Sequence, residues 1–197
     1  MKTTDRFIIV VGIDFSEQAD QALDAALEEA SRREHAEVHV VHVEPDPWIG
    51  AGSRHQAMGA DTTVEVVHQH TLEHLERMSD AKRPQRVVAH YRHGSPAEGI
   101  ARLAADLGAA LVVVGSHGGG GATPLGGSVA ARIGALARCA VRVVPVAGHP
   151  VGRAAPAAPG CAPPSGAHRR SCASNGVHAA EMTIYERATA EERAPRP

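Results

Sequence analysis

The stretch Phe-Ile-Ile-Val-Val-Gly-Ile at residues 7–13 decides the fold. It is a continuous run of apolar, mostly β-branched residues, which is typical of a strand buried on both faces of a sheet. Asp-Phe-Ser-Glu follows at residues 14–17, and Ser16 suits the N-cap of a helix. Apolar residues then recur at helical spacing from Ala19 to Ala30. The first 30 residues therefore predict a buried strand followed by an amphipathic helix.

The same alternation of strand and helix signals continues to residue 146. Further strands are predicted at residues 37–43, 86–92, 111–114 and 141–146, and further helices at residues 62–80, 96–107 and 128–137. Strands that are joined through helices must be mostly parallel, with right-handed crossovers. We therefore predict an α/β domain over residues 1–146, with a single doubly wound, five-stranded parallel sheet and helices on both faces.

Residues 147–197 differ in composition from this domain. Ala, Gly and Pro supply 25 of these 51 positions, whereas only five are Val, Ile, Met or Tyr. Such a segment buries too little apolar surface to offset the entropy of ordering, so we expect a disordered tail whose removal leaves thermal stability nearly unchanged. The spacing of Met182 and Tyr185 suggests one short helix, within residues 179–193.

Composition also excludes several classes of function. The formal net charge is −2, with the first 146 residues at −4 and the tail at +2, so there is no basic field for nucleic acid. No apolar run has the length of a membrane span, and no secretory signal is apparent at the start. The three cysteines are too few and too poorly spaced for a disulfide framework. We expect a cytoplasmic protein with no membrane or nucleic-acid partner.

The strand ends indicate where a ligand would bind. In open parallel sheets, ligands bind beyond the carboxyl ends of the strands. Asp14 follows the first strand, Val43 ends the second, and a glycine-rich loop at residues 115–128 follows the fourth. Glycines let successive backbone N–H groups approach a phosphate, and Ser128 opens the next helix. Two other interpretations stay open: the loop as a simple connector, and Asp14 as a turn-forming carboxylate that caps the helix with Ser16.

Three motifs together resemble the universal stress protein family. They are Ile-Asp-Phe-Ser at residues 13–16, Val-Val-His-Val at residues 40–43, and Val-Val-Val-Gly-Ser-His-Gly at residues 112–118 leading to Gly-Ser-Val at residues 127–129. The resemblance covers about residues 5–146. The family's loop pattern is G-x2-G-x9-G-[S/T]. Here Gly115-x2-Gly118 matches, but Gly127-Ser128 follows after eight residues instead of nine.

The resemblance implies a Rossmann-like fold of the adenine nucleotide α hydrolase type and binding of ATP, with Mg²⁺ as a possible companion ion. Asp14 would lie beside the adenosine, and the backbone of Val43 would meet the adenine. Gly12 and Ile13 would line the neighbouring wall. The residues implied at the phosphates are Gly115, Gly118, Gly127 and Ser128, with Val129 behind them. The resemblance further implies a nucleotide-dependent regulator of the stress response, dimerising through the last strand, from Val141 to Val146.

The alternative function is a dimeric interaction module of the same fold that binds no nucleotide. The shortened glycine loop supports this alternative. No catalytic residues are predicted, because no triad, paired carboxylates or general base is recognisable, and at most slow ATP hydrolysis is expected. His70 and His74 have the i, i+4 spacing of a zinc chelate, but a histidine-rich solvated helix face is the favoured interpretation, so no metal site is predicted.

Overall fold

A computed structural model describes residues 6–45, 60–116, 129–145 and 180–186 of the chain. Strands and helices alternate along it as the sequence predicts. The elements are β1 (Phe7–Ile13), α1 (Glu17–Ser31), β2 (Ala36–Glu44), α2 (Ala60–Glu76), a 3-10 turn (Asp80–Lys82), β3 (Arg86–His93), α3 (Pro96–Leu107), β4 (Leu111–Gly115), α4 (Val129–Leu136), β5 (Ala140–Val144) and β6 (Ala180–Glu186).

The strands form one mixed sheet in the order β5-β4-β1-β2-β3-β6. The first five strands are parallel to one another, whereas β6 is antiparallel to β3. Helices α1 and α2 pack on one face through a buried cluster that includes Ile9, Leu23 and Val67. Helices α3 and α4 cover the other face through a cluster that includes Val10 and Ile133. The doubly wound α/β fold is confirmed, but the sheet has six strands and is not entirely parallel.

The sixth strand corrects two expectations for the C-terminal tail. Residues 180–186 are extended, so the predicted helix is wrong there, and so is the expectation of disorder for these seven residues. The physical reason is that β3 offers a free edge of backbone hydrogen-bonding groups, and the sparse apolar side chains of the segment find a surface beside α2. Met182, Ile184 and Tyr185 pack against the cluster beneath α1 and α2. The other residues of the predicted tail lie outside the described ranges.

The turn that leads from β1 into α1 has the predicted cap. Ser16 adopts an extended conformation at the N-cap, and its Oγ accepts a hydrogen bond of 3.3 Å from the backbone N–H of Ala19. The apolar stripe behind it is fully or nearly buried, from Ala19 to Ala30. Within the described residues, no helix has both the length and the apolar character needed to cross a bilayer.

Candidate functional site

The strand order reverses between β1 and β4, which lie side by side at the centre of the sheet. Chain connections from these two strands run to opposite faces, so a crevice opens beyond their carboxyl ends. Val11 pairs with Val113 in the parallel register, which brings Asp14 and Gly115 to the same edge. Ser116 then donates a backbone hydrogen bond of 2.8 Å to the Val144 carbonyl of β5. The predicted ligand edge is thus assembled from segments that are distant in sequence.

The carboxylate of Asp14 is exposed and organises the turn after β1. Its Oδ1 accepts hydrogen bonds from the backbone N–H of Ser16 at 3.1 Å and from Ser16 Oγ at 2.5 Å. The turn-forming interpretation of Asp14 is therefore confirmed. The carboxylate lies exposed at the rim of the crevice.

Phe15 is a functional candidate that the sequence interpretation missed. Its φ angle is +60°, a left-handed conformation that is rare for a bulky residue, and 37% of the residue is exposed. The ring lies 4.9 Å from the His42 ring and 5.4 Å from the His70 ring, measured between centroids. His42 is itself fixed, because its Nδ1 donates to the Ile13 carbonyl at 3.0 Å. A strained aromatic residue is therefore held at the ligand edge by two imidazoles.

Two of the predicted site glycines have a packing role. A Cβ atom at Gly12 would lie 2.6 Å from Ile100 Cδ1, so the missing side chain lets β1 pack closely on α3. A Cβ atom at Gly115 would lie 3.0 Å from Gln18 Cβ and 3.1 Å from the Gln18 carbonyl oxygen. The end of β4 therefore approaches the backbone of α1 closely, and a side chain at this position would require the Gln18 backbone to move by a few tenths of an ångström.

The remaining predicted residues contribute differently to the edge. Ile13 and Val43 are buried, and the Val43 side chain faces Gly99 of α3, which leaves their backbone as the part that a ligand could meet. Val129 begins α4 and is 43% exposed. Gly118, Gly127 and Ser128 lie outside the described residues.

An acidic group also stands at the end of β2. Glu44 Oε2 accepts a hydrogen bond of 2.7 Å from the hydroxyl of Tyr91 on β3. Burial, together with the neighbouring Glu44 carboxylate, raises the pKa of Tyr91 to about 12. The phenol therefore keeps its proton at neutral pH and holds the Glu44 carboxylate beside the carboxyl edge.

The histidines of α2 do not form the solvated face that the sequence favours. His74 is nearly fully buried, and the His70 side chain is only 21% exposed. Both rings turn towards α1, where Asp20 lies between them. The interpretation as a solvated face was wrong. The i, i+4 spacing shows that His70 and His74 share one face of α2, but it does not show that this face packs against Asp20 of α1.

The family assignment follows from the extent of a family match over this fold. The family model described as "Universal stress protein family" matches residues 6–145, which include the five parallel strands. The chain belongs to the universal stress protein family. No curated protein sequence matches the chain at a significant level.

The chain is similar to several solved structures. The hypothetical protein MJ0577 is 23% identical, with a TM-score of 0.55, and the match covers 73% of this chain and 98% of that one. A universal stress protein in complex with cAMP is 21% identical, with a TM-score of 0.51 and coverage of 72% and 96%. A universal stress protein family member from Burkholderia pseudomallei is 26% identical, with a TM-score of 0.43 and coverage of 71% and 96%.

Proposed function

We propose that this universal stress protein binds an adenine nucleotide, with ATP as the ligand, at the carboxyl edge between β1 and β4, and that it acts as a nucleotide-dependent regulatory module of the stress response. The observation that carries the proposal is the meeting of Asp14 and Gly115 at the point where strand order reverses. The solved relative in complex with cAMP supports the same class of ligand.

The described residues suit a nucleoside in three ways. The exposed Asp14 carboxylate can accept hydrogen bonds from ribose hydroxyls. The exposed Phe15 ring offers a flat apolar surface to a base. The backbone at Val43 supplies amide groups for the edge of the adenine. Phosphates would lie towards the glycine-rich loop and the start of α4, where backbone N–H groups and the helix dipole favour negative charge without lysine.

Mg²⁺ would enter this site through the phosphates of ATP and would neutralise part of their charge. Asp14 is the acidic residue within the turn from β1 into α1. We propose binding and switching as the function, because the carboxyl edge at the point where strand order reverses is where open parallel sheets bind ligands. Regulation would require that ATP bind one conformation of the loop more tightly than another.

Calorimetric titration of the full-length chain tests the proposal. ATP, cAMP and GTP would be titrated separately, with and without Mg²⁺, after removal of any co-purified nucleotide. We expect saturable binding of ATP and weaker binding of GTP. The Asp14→Asn variant should bind ATP about 10- to 150-fold more weakly, because one charge-assisted hydrogen bond contributes roughly 1.5–3 kcal/mol. Asp106→Asn is the matched control, since Asp106 lies on α3 and forms an ion pair with Arg92 at 3.6 Å. Absence of saturable binding at millimolar ATP would contradict the proposal.

A second variant probes the phosphates. Gly118→Val places a branched side chain where the loop pattern of the family requires glycine. We expect it to weaken ATP binding strongly and to leave adenosine binding nearly unchanged, because the added side chain opposes the phosphates only. An equal loss of affinity for ATP and for adenosine would show that the variant disturbs the whole binding edge.

The homodimer is a separate proposal, and it also underlies the alternative function of a nucleotide-free interaction module. Strand β5 ends the sheet on one side, and its side chains are only half-buried or exposed. The backbone N–H of Ser116 donates to the Val144 carbonyl, so the backbone groups of Val144 point to β4. Backbone groups alternate along a strand, so those of Arg142 also point to β4, whereas those of Val141 and Val143 point to the opposite, outward edge. We propose that this outward edge pairs with the same strand of a second copy.

Light scattering on size-exclusion fractions tests the dimer. The wild-type chain should have twice the monomer mass at tens of micromolar. Val143→Pro removes one outward N–H and should yield monomer, whereas the control Val143→Thr keeps that N–H and should stay dimeric. A monomeric wild-type chain would overturn this proposal. A dimer with no nucleotide binding would favour the interaction module.

A further inference from the structure

Three metal-ligating side chains meet between α1 and α2, on the helical layer beside the proposed nucleotide edge. Asp20 belongs to the first turn of α1, and His70 and His74 belong to consecutive turns of α2. Asp20 Oδ1 lies 2.9 Å from His70 Nε2 and 4.0 Å from His74 Nε2. One ligand atom from each residue lies within 4.8 Å of the others.

These distances suit a tetrahedral metal ion. Zinc bonds to imidazole nitrogen and carboxylate oxygen at about 2.0–2.2 Å, so its ligand atoms lie roughly 3.3 Å from one another. These two separations lie on either side of this value, and all three ligand atoms lie within 4.8 Å of one another. Small rotations of the His70 and His74 side chains would therefore place all three atoms on one ion. Two nitrogens and one carboxylate oxygen leave a fourth position for water, and the side chain of Asp20 is 39% exposed.

A second carboxylate orients the most buried ligand. His74 Nδ1 lies 2.6 Å from Asp24 Oδ1, one turn further along α1. When Nδ1–H donates to Asp24, the Nε2 lone pair is free to bind a metal, which is the arrangement that outer-shell carboxylates impose in zinc proteins. Arg77 Nη2 also lies 2.7 Å from Nδ1 and 3.6 Å from Asp24 Oδ1. Arg77 can donate to Nδ1 only in the tautomer that carries its proton on Nε2. Metal binding at Nε2 excludes that tautomer, so the Arg77 guanidinium would then donate to Asp24 instead.

We propose that Asp20, His70 and His74 form a binding site for a divalent transition metal ion of the Zn²⁺ type. The ion replaces the hydrogen bond between Asp20 and His70 and links α1 to α2. The His70 ring also contacts the ring of Phe15 edge-on at 5.4 Å. Metal binding would therefore fix Phe15 beside the proposed nucleotide edge. The metal site itself requires no bound nucleotide.

Titration of the chelator-treated, full-length chain with Zn²⁺ tests the site. We expect the wild-type chain to bind one more ion at micromolar Zn²⁺ than the Asp20→Asn and His70→Gln variants. His68→Gln is the matched control on the same helix, since His68 lies outside the three-residue cluster, and it should keep the full stoichiometry. Asp24→Asn should retain the ion with an affinity lowered about 10–100-fold. Circular dichroism of each variant verifies that it remains folded.

Cobalt substitution identifies the ligands. Co²⁺ at this site should give visible absorption of a four-coordinate ion without the near-ultraviolet thiolate bands that a cysteine site would produce. The signal should be lost in Asp20→Asn and His70→Gln and kept in His68→Gln. The proposal is overturned if these two variants match the wild-type chain in Zn²⁺ stoichiometry, or if the bound Co²⁺ shows thiolate ligation.

Discussion

The two edges of the sheet are closed by strands of different origin. Strand β5 follows β4 through a single helix and is parallel to it, whereas β6 comes from the C-terminal segment and pairs antiparallel to β3. The residues of both strands are half-buried or exposed. In β5, Val141 and Val143 pack against the cluster beneath α3 and α4. In β6, the side chains of Ala180, Met182, Ile184 and Tyr185 pack against the cluster beneath α1 and α2. An edge strand can therefore be well anchored without the continuous apolar run that marks a central strand.

Polar contacts also anchor β6. Arg86 donates to Thr183 Oγ1 at 3.2 Å, and the Arg83 guanidinium lies 5.7 Å from the centre of the Tyr185 ring. Glu181 lies 3.7 Å from the buried His90. These contacts join β6 to β3 and to the turn before it. We infer that β6 contributes to the stability of the domain, whereas the outward side of β5 remains available for association.

Among the changes to the two edge strands, truncation after Ala179 should reduce the stability of the domain the most. It removes β6 and exposes the apolar surface that Met182, Ile184 and Tyr185 cover. We expect the free energy of unfolding to fall by about 2–4 kcal/mol, since burial of each large apolar side chain contributes roughly 1.5–3 kcal/mol when complete and these three are partly buried. Urea denaturation measures the change. Truncation after Glu186 is the control and should change stability little. Equal stability of both truncated chains would show that β6 is dispensable.

Acid should destabilise the part of the sheet beside β6. His39 and His90 are buried and stacked, with His39 Nδ1 and His90 Nε2 2.8 Å apart. Burial, followed by the charges of His39, Arg92 and Arg86, lowers the pKa of His90 to about 3, and burial also lowers the pKa of His39. The unfolded chain therefore binds more protons than the folded chain below pH 6.5. Stability is fully present above pH 6.5 and falls towards pH 3, by up to about 1.4 kcal/mol per pH unit for each proton.

Denaturation curves measured between pH 7 and pH 4 test this window. His90→Gln should flatten the dependence of stability on pH, because the amide does not titrate. His35→Gln is the control, since His35 is exposed and contacts Gln85 at the other end of the strands. If His90→Gln and the wild-type chain lose stability in parallel, the acid sensitivity arises from other groups.

The fold could be predicted from the sequence wherever burial on both faces forces a continuous apolar run, as in β1 and β4. Strand β6 could not be predicted, because its side chains are only half-buried or exposed and the segment around it is rich in Ala, Gly and Pro. The ligand edge follows from strand ends, so Asp14, Val43 and Gly115 could be placed there. The Asp20–His70–His74 cluster could not be predicted fully. The i, i+4 pair is visible in the sequence, but the rotation of α1 against α2 is set by packing.

On the opposite edge, Val143→Pro should have a smaller effect on stability than loss of β6. The backbone groups of Val143 point away from β4, so proline removes no hydrogen bond within the described sheet. We expect the monomer to lose about 1 kcal/mol or less, mainly from reduced packing against the cluster beneath α3 and α4. Thermal unfolding at low protein concentration measures it. A loss as large as that of the truncation after Ala179 would mean that the two edges are equally integral to the domain.

The smallest effect on stability is expected for Glu181→Gln. This variant removes a charge from β6 and leaves the packing of its apolar side chains unchanged. The Glu181 side chain is 58% exposed, so its attraction to His90 is screened by solvent, and His90 is neutral at pH 7. We expect the free energy of unfolding at pH 7 to change by about 0.5 kcal/mol or less. The matched variant Met182→Ala, in the same strand, should cost more, because Met182 packs against the buried cluster. If Glu181→Gln destabilised the domain more than Met182→Ala, charge would contribute more than apolar packing to holding β6 on the sheet.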